Sequence, residues 1–216
     1  MKEEIEIPPF IRQDENSKHL LVGNVRHSLI DNETISGLYL ILTRSIGREM
    51  THRFFYDSAK KAAYNLQKNL IELTNAETGD VVERISKIPF YISGYGYGIG
   101  DTIEVDPETQ SFTFRISHSF IADELREEYL KDPVCSFLAG IFAGITEAWT
   151  GREYSCIEVY CSANGYPYCE FELFPGSLTD KFFSEIEKTK GILKKLDEAA
   201  ESSQKYMKSK IEQRSL

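Results

Sequence analysis

Cys135, Cys156, Cys161 and Cys169 are the only cysteines of this 216-residue chain, and Glu158 stands among them. The intervals are 26 from Cys135 to Cys161, 8 from Cys161 to Cys169 and 3 from Glu158 to Cys161. Thiolates and a carboxylate are metal-ligating groups, and four of them close a tetrahedral site. Asp132-Pro133 is a helix opening, with Asp as cap and Pro at the first helical position. It predicts Cys135 in the first helical turn, where the helix dipole favours a thiolate. The remaining members fall on a predicted β-hairpin, Tyr154 to Phe174, turned at Ala163-Asn164-Gly165.

Two readings of this cluster compete. There is no Cys-x-x-Cys pair, and free cysteine also serves as a small buried hydrophobe. Clustering favours metal. Glu158 and Cys161 are an odd number of residues apart, so on a flat strand they would face opposite ways. They converge only if the strand bulges or ends by Cys161. Cys156 shares a face with Glu158, so the fourth ligand is Glu158 or, in an all-cysteine site, Cys156.

The run Asp132-Pro133-Val134-Cys135-Ser136-Phe137-Leu138-Ala139-Gly140, followed by Gly144, Glu158, Cys161, Ala163-Asn164-Gly165, Cys169 and Phe171, resembles the vinyl-4-reductase domain family. That family is related to the ligand-sensing domains of phenol- and toluene-responsive bacterial transcription activators. The resemblance implies a zinc ion held by Cys135, Glu158, Cys161 and Cys169, leaving Cys156 as a spare thiol. Four protein ligands leave no open position, so the zinc is expected to be structural. Three thiolates, one carboxylate and Zn²⁺ carry a formal charge of about −2, which nearby N–H groups would offset. The sensors bind a small aromatic between sheet and core helix. By that analogy Tyr97, Phe112, Phe114, His118, Phe142 and Ile145 are the expected lining of a ligand pocket, in a chain rich in Phe (13) and Tyr (12).

Composition narrows the class. A length of 216 residues accommodates one sizeable core. The 41% hydrophobic content is that of an ordinary globular protein. A net charge of −9 argues against a nucleic-acid groove. No 18-residue apolar run exists for a membrane span. The acidic, polar N-terminus is unlike a signal peptide, so a cytoplasmic location and reduced cysteines are expected.

The elements that must position the cluster follow from periodicity. Residues 1–18, with Pro8-Pro9, read as an arm or short edge strand. Asp31 or Asn32 starts a helix to Ser45, with Ile35, Leu38, Leu42 and Ile46 on one face and Gly47 as stop. A second helix, Glu49 to Leu73, carries a stripe of Phe55, Ala59, Ala62, Ala63, Leu66 and Leu70. A short helix at Val81 to Ile88 is expected, then strands at Phe90–Tyr97, Thr102–Asp106 and Ser111–Ser117. The alternating glycines from Gly94 to Gly100 are not a dinucleotide fingerprint, since no strand–helix unit surrounds them. Pro133 to Trp149 is the core helix. Gly140 and Gly144, one turn apart, each cost about 1 kcal/mol of helix propensity, which implies close packing or room for a ligand. The sum is an α+β fold: an antiparallel sheet of four to five strands covered by helices.

Leu178 to about Glu212 reads as one long helix with an imperfect heptad. The expected organisation is an arm (1–18), an α+β domain (19–176) and a C-terminal helix (177–216) that packs on its own domain or pairs two chains as a homodimer. The chain stops there, with no output module expected. His19, His27, His52 and His118 have no mutual ligand spacing, and no catalytic triad, phosphate loop or cofactor fingerprint is legible. Catalytic residues are therefore none, and the weight falls on a non-enzymatic, small-molecule-binding sensor domain. The alternatives are an assembly subunit, since vesicle-tethering subunits share this fold, and an enzyme or accessory factor of tetrapyrrole vinyl reduction.

Overall fold

The computed structural model describes residues 11–177, except 15–16, 18, 29, 75–79, 129 and 131. The expected C-terminal helix lies outside the described residues, as does most of the arm. The chain divides after Gly176 into the units Met1–Gly176 and Ser177–Leu216.

Three short strands open the described part: β1 (Ile11–Gln13), β2 (Leu20–Val22) and β3 (Val25–His27), paired antiparallel in sequence order. No element was expected over residues 20–27. The legible signal was Gly23-Asn24 between Leu-Leu-Val and Val, a two-residue hairpin turn. The Asn24 amide donates to Asn69 Oδ1 at 3.1 Å and ties this meander to the second helix.

Helix α1 (Asn32–Ile46) starts at Asp31, whose carboxylate accepts from the Thr34 amide at 2.8 Å and the Thr34 hydroxyl at 2.8 Å. Its buried positions are Ser36 and Tyr39. The expected face is thus corrected: Leu38 and Ile46 are 43% and 47% exposed. Helix α2 (Arg48–Thr74) buries Thr51, Phe55, Ala59 and Ala63, a strict four-residue repeat. Ala62, expected on that stripe, is exposed.

Helices α3 (Val81–Ser86) and α4 (Ile88–Gly94) follow. The strand expected at Phe90–Tyr97 is therefore a helix and its exit turn. Pro89 sits in the first turn of α4, where its missing N–H costs nothing. Ile85, Ile88 and Ile92, spaced 3 and 4, reach the core, whereas Phe90 is 71% exposed. Helical spacing outweighed the aromatic, β-favouring composition.

The main sheet has the order β4 (Ile99–Asp106), β5 (Ser111–Ser117), β7 (Cys169–Pro175), β6 (Tyr154–Tyr160), all antiparallel. Phe112, Phe114 and Ile116 alternate inward from β5. Helix α5 (Phe120–Leu125) links this strand to the loop before α6 (Ser136–Thr150). Helix α6 is the axis of the core, with every residue from Leu138 to Thr146 buried. Phe142 lies 5.0 Å from Phe114 and 5.1 Å from Phe171 between ring centroids, which seats the helix on β5 and β7.

On its other side α6 meets α2 at backbone contact. A Cβ on Gly140 would stand 2.3 Å from the Tyr56 carbonyl oxygen, and one on Gly144 would stand 2.2 Å from that of Lys60. The two glycines thus serve close packing. Lys60 fastens the same junction: its Nζ pairs with Glu147 at 2.6 Å and donates to the Tyr154 carbonyl at 2.8 Å.

A candidate metal centre between a helix start and a bulged hairpin

Cys135 is the N-cap of α6, one residue outside the helix. This corrects the expected start at Pro133 and the expected first-turn position of its sulfur. From β6 comes Glu158, and a register shift between Glu158 and Tyr160 supplies the irregularity that strand parity demanded. After Tyr160 the strand ends, Cys161 precedes a 3₁₀ turn (Ser162–Asn164), and Gly165 takes a left-handed φ of 91°. Cys169 then opens β7.

One ligand atom from each of Cys135, Glu158, Cys161 and Cys169 lies within 4.8 Å of the others. The Sγ atoms of Cys135 and Cys169 are 3.6 Å apart, and those of Cys169 and Cys161 are 4.0 Å apart. Zinc–sulfur bonds of about 2.3 Å at tetrahedral angles put sulfurs about 3.8 Å apart. A disulfide requires about 2.05 Å. The groups are close enough to hold one ion between them, and all four cysteines are outside any disulfide. Cys156 is buried on β6, its amide donating to the Tyr56 hydroxyl at 3.2 Å, and it is not among the four.

The surroundings suit negative ligands. The Cys135 amide donates to Glu158 Oε2 at 2.7 Å, and the Ser162 amide donates to Cys169 Sγ at 3.3 Å. The Ser119 hydroxyl lies 3.3 Å from Cys135 Sγ, and that of Ser162 lies 3.5 Å from Cys169 Sγ. Glu158 Oε1 is buried with no hydrogen-bond partner among the described residues. An acceptor lone pair left over in a thiol cluster is the position a cation would satisfy.

Electrostatics agree. Contacts from the Cys135 and Cys161 thiols, then the Ser162 donors, hold the Cys169 thiol well below its usual range. Burial, then the neighbouring sulfurs and Glu158, pushes Cys135 well up. Burial and the Cys169 sulfur likewise raise Glu158. One anion is comfortable there, while four need a compensating positive charge. The two serines were missed in the sequence: Ser162 adjoins Cys161, but nothing marked Ser119.

The six expected pocket residues fall into separate places. Phe112, Phe114 and Phe142 are 2%, 0% and 0% exposed, and Ile145 follows Phe142 on α6. Tyr97 belongs to a second aromatic group, 5.1 Å from Phe120 and 6.1 Å from Phe137. His118 has a φ of 55° and an exposed side chain 3.6 Å from Asp123. None of the six lines the recess of about 310 Å³ at Asp57, Lys60, Lys61, Tyr64 and Glu147.

Residues 112–175, from β5 through β7, match the family model of the vinyl-4-reductase domain. The match spans under a third of the chain. Its fold is similar to that of the phenol-responsive sensory domain of the transcription activator PoxR, solved with phenol: TM-score 0.70 and 19% identity over 78% of this chain and 86% of that one. It is also similar to trafficking protein particle complex subunit 3 from Naegleria fowleri, solved covalently bound to palmitic acid. There the TM-score is 0.50 and the identity 10%, over 68% of this chain and 95% of that one. A vinyl-4-reductase family protein from Methanocaldococcus jannaschii aligns at TM-score 0.45 and 16% identity, over 70% and 85%. No curated protein matches the chain in sequence. The matched vinyl-4-reductase segment contains all four candidate ligands and the strands that hold them.

Proposed function

We propose that this vinyl-4-reductase domain is a ligand-sensing module that binds a small hydrophobic or aromatic molecule and is braced by a structural zinc. The convergence of Cys135, Glu158, Cys161 and Cys169 carries the metal part of the reading. A cation there would tie the loop before α6 to the β6–β7 hairpin and contribute folding free energy directly. It would take no part in chemistry, since four protein ligands complete its shell.

The ligand part rests on the likeness to the PoxR sensory domain and on the aromatic packing between α6 and the sheet. The residues proposed for the pocket are Tyr97, Phe112, Phe114, His118, Phe142 and Ile145, of which Phe112, Phe114 and Phe142 pack together while Tyr97 and His118 lie apart from them. Phenol is the first probe to use, with two copies pairing as the expected state. Native mass spectrometry with metal quantification tests the whole: one zinc per chain and an adducted organic mass are expected. Zinc with no adduct and no thermal shift on adding phenol would remove the sensor reading and leave the metal.

A second reading is assembly. Leu38, Ile41, Met50 and Phe54 are 43%, 60%, 56% and 51% exposed on α1 and α2, which is apolar surface suited to another subunit. On that reading Phe114→Ala would change stability only, and substitution of the four exposed residues would change the oligomeric state. No helix among the described residues is long and apolar enough to cross a membrane.

A further inference from the structure

The first turn of α2 joins three segments of chain. Arg48, its first residue, donates through Nη1 to Asp132 Oδ2 and through Nη2 to the Asp132 carbonyl, the latter at 3.5 Å. His52, one turn further along the same face, has Nε2 2.6 Å from the hydroxyl of Tyr39 on α1. Tyr39 is fully buried, and its ring lies 5.7 Å from Phe55 of α2. A planar guanidinium that takes both a side-chain and a main-chain oxygen of one residue fixes that residue's orientation, as a lysine would not.

Asp132 stands three residues before Cys135, a stretch that spans about 10 Å at most. The residue Arg48 holds is therefore on the segment that delivers the first thiol to the metal centre. Cys135 is held from the far side as well, by Glu158 through its amide and by Ser119 at its sulfur. Arg48 and Glu158 thus grip one short segment from two different layers of the fold.

We propose that Arg48 is a positioning residue for the metal centre, clamping Asp132 so that Cys135 is presented to the ion and so that metal occupancy is coupled to the α1–α2 corner. This rests on the metal reading above. Coupling between two sites is reciprocal. Whatever the clamp contributes to metal affinity, the metal contributes to the order of Arg48, His52 and Tyr39. The sensing reading would then gain a physical link from the metal to the helical layer that carries the exposed apolar residues.

The test uses the full chain loaded with zinc and three variants: Arg48→Gln, Arg48→Lys, and Arg53→Gln as control. Arg53 is an exposed arginine on the same helix, paired with Asp57. Zinc release to a chromophoric chelator and hydrogen exchange are read on each. Arg48→Gln is expected to release zinc roughly tenfold faster than the parent, the lower end of outer-shell effects on metal affinity. With zinc still bound it should also exchange faster over residues 132–138 and 39–52. Arg48→Lys should fall between, and Arg53→Gln should match the parent. A merely structural role at the start of α2 would raise exchange in α2 and leave zinc release unchanged, which would overturn the proposal. If Arg48→Gln does not fold, Asp132→Ala removes the side-chain acceptor of the clamp from the other side, and the same release rate decides. A chain that takes up no zinc would overturn the metal reading and this coupling together, whereas zinc held equally by all variants would overturn the coupling alone.

Discussion

The Cys135 amide and the Glu158 carboxylate meet in a 2.7 Å hydrogen bond across 23 residues of sequence. The bond joins the start of the core helix to the strand that bulges beside it. It leaves Glu158 Oε1 buried and without a hydrogen-bond partner in the described structure. One oxygen of this carboxylate accepts from the Cys135 amide, and in the proposed metal centre the other would face the cation.

Glu158→Gln separates those two tasks. Glutamine still accepts the Cys135 amide bond but offers a neutral, weaker ligand. The variant is expected to fold and to hold zinc at least roughly 10- to 100-fold less tightly, since altering outer-shell groups alone costs that much and here a direct ligand is altered. Cys156→Ser is expected to keep full zinc. Metal content after dialysis against a weak chelator checks both.

Cys161→Ser should be far more damaging. Its sulfur lies 4.0 Å from that of Cys169 and its backbone begins the turn of the hairpin. Loss of zinc together with loss of the cooperative thermal transition is expected, because a structural ion contributes folding free energy directly. Calorimetry with and without added zinc reads this.

Gly144→Ala is expected to destabilise although alanine is the better helix former. The new methyl would stand 2.2 Å from the Lys60 carbonyl, so α2 and α6 must separate. Overpacking of this kind costs about 1–3 kcal/mol, which outweighs the roughly 1 kcal/mol gained in propensity. Chemical denaturation against the parent measures it, and a more stable variant would refute the close-packing account.

His52 gives stability a slope with pH. Burial, then the nearby Arg48 charge, lowers its pKa below the usual 6.5. Between that lowered value and 6.5 the unfolded chain binds more protons, so stability rises with pH through this window. The neutral ring contributes fully above pH 6.5, and the contribution is lost as pH falls toward the folded value. Subtracting the curve of His52→Gln from that of the parent over about pH 7.5 to 5 should isolate the slope. A flat difference would show that the ring titrates alike in both states.

Much of the fold was legible because its signals are local. Asp31 before a periodic run, Gly47 after it and the strict alternation of Phe112, Phe114 and Ile116 each reflect chemistry within a few residues. Local signals conflict at two places in the chain. Ile88–Gly94 has strand-like composition, yet its isoleucines are spaced to reach the core from a helix. On α1 the stripe through Leu38 and Ile46 gave way to Tyr39, whose hydroxyl finds its partner in His52 of the next helix.

Residue order alone carried the antiparallel α+β architecture and the need for a strand irregularity between Glu158 and Cys161. The likeness of residues 112–175 to the vinyl-4-reductase domain was legible there too. These depend on residue type, period and spacing, which the chain carries linearly. Packing of the folded chain was needed to show that Cys156 stands apart from the other three thiols, that Ser119 and Ser162 serve the cluster, and that Gly140 and Gly144 make room for α2. It also decided that Arg48 reaches Asp132, 84 residues away. Each of these is a meeting of groups distant in sequence, fixed by how helices and sheet pack and by nothing within a single element.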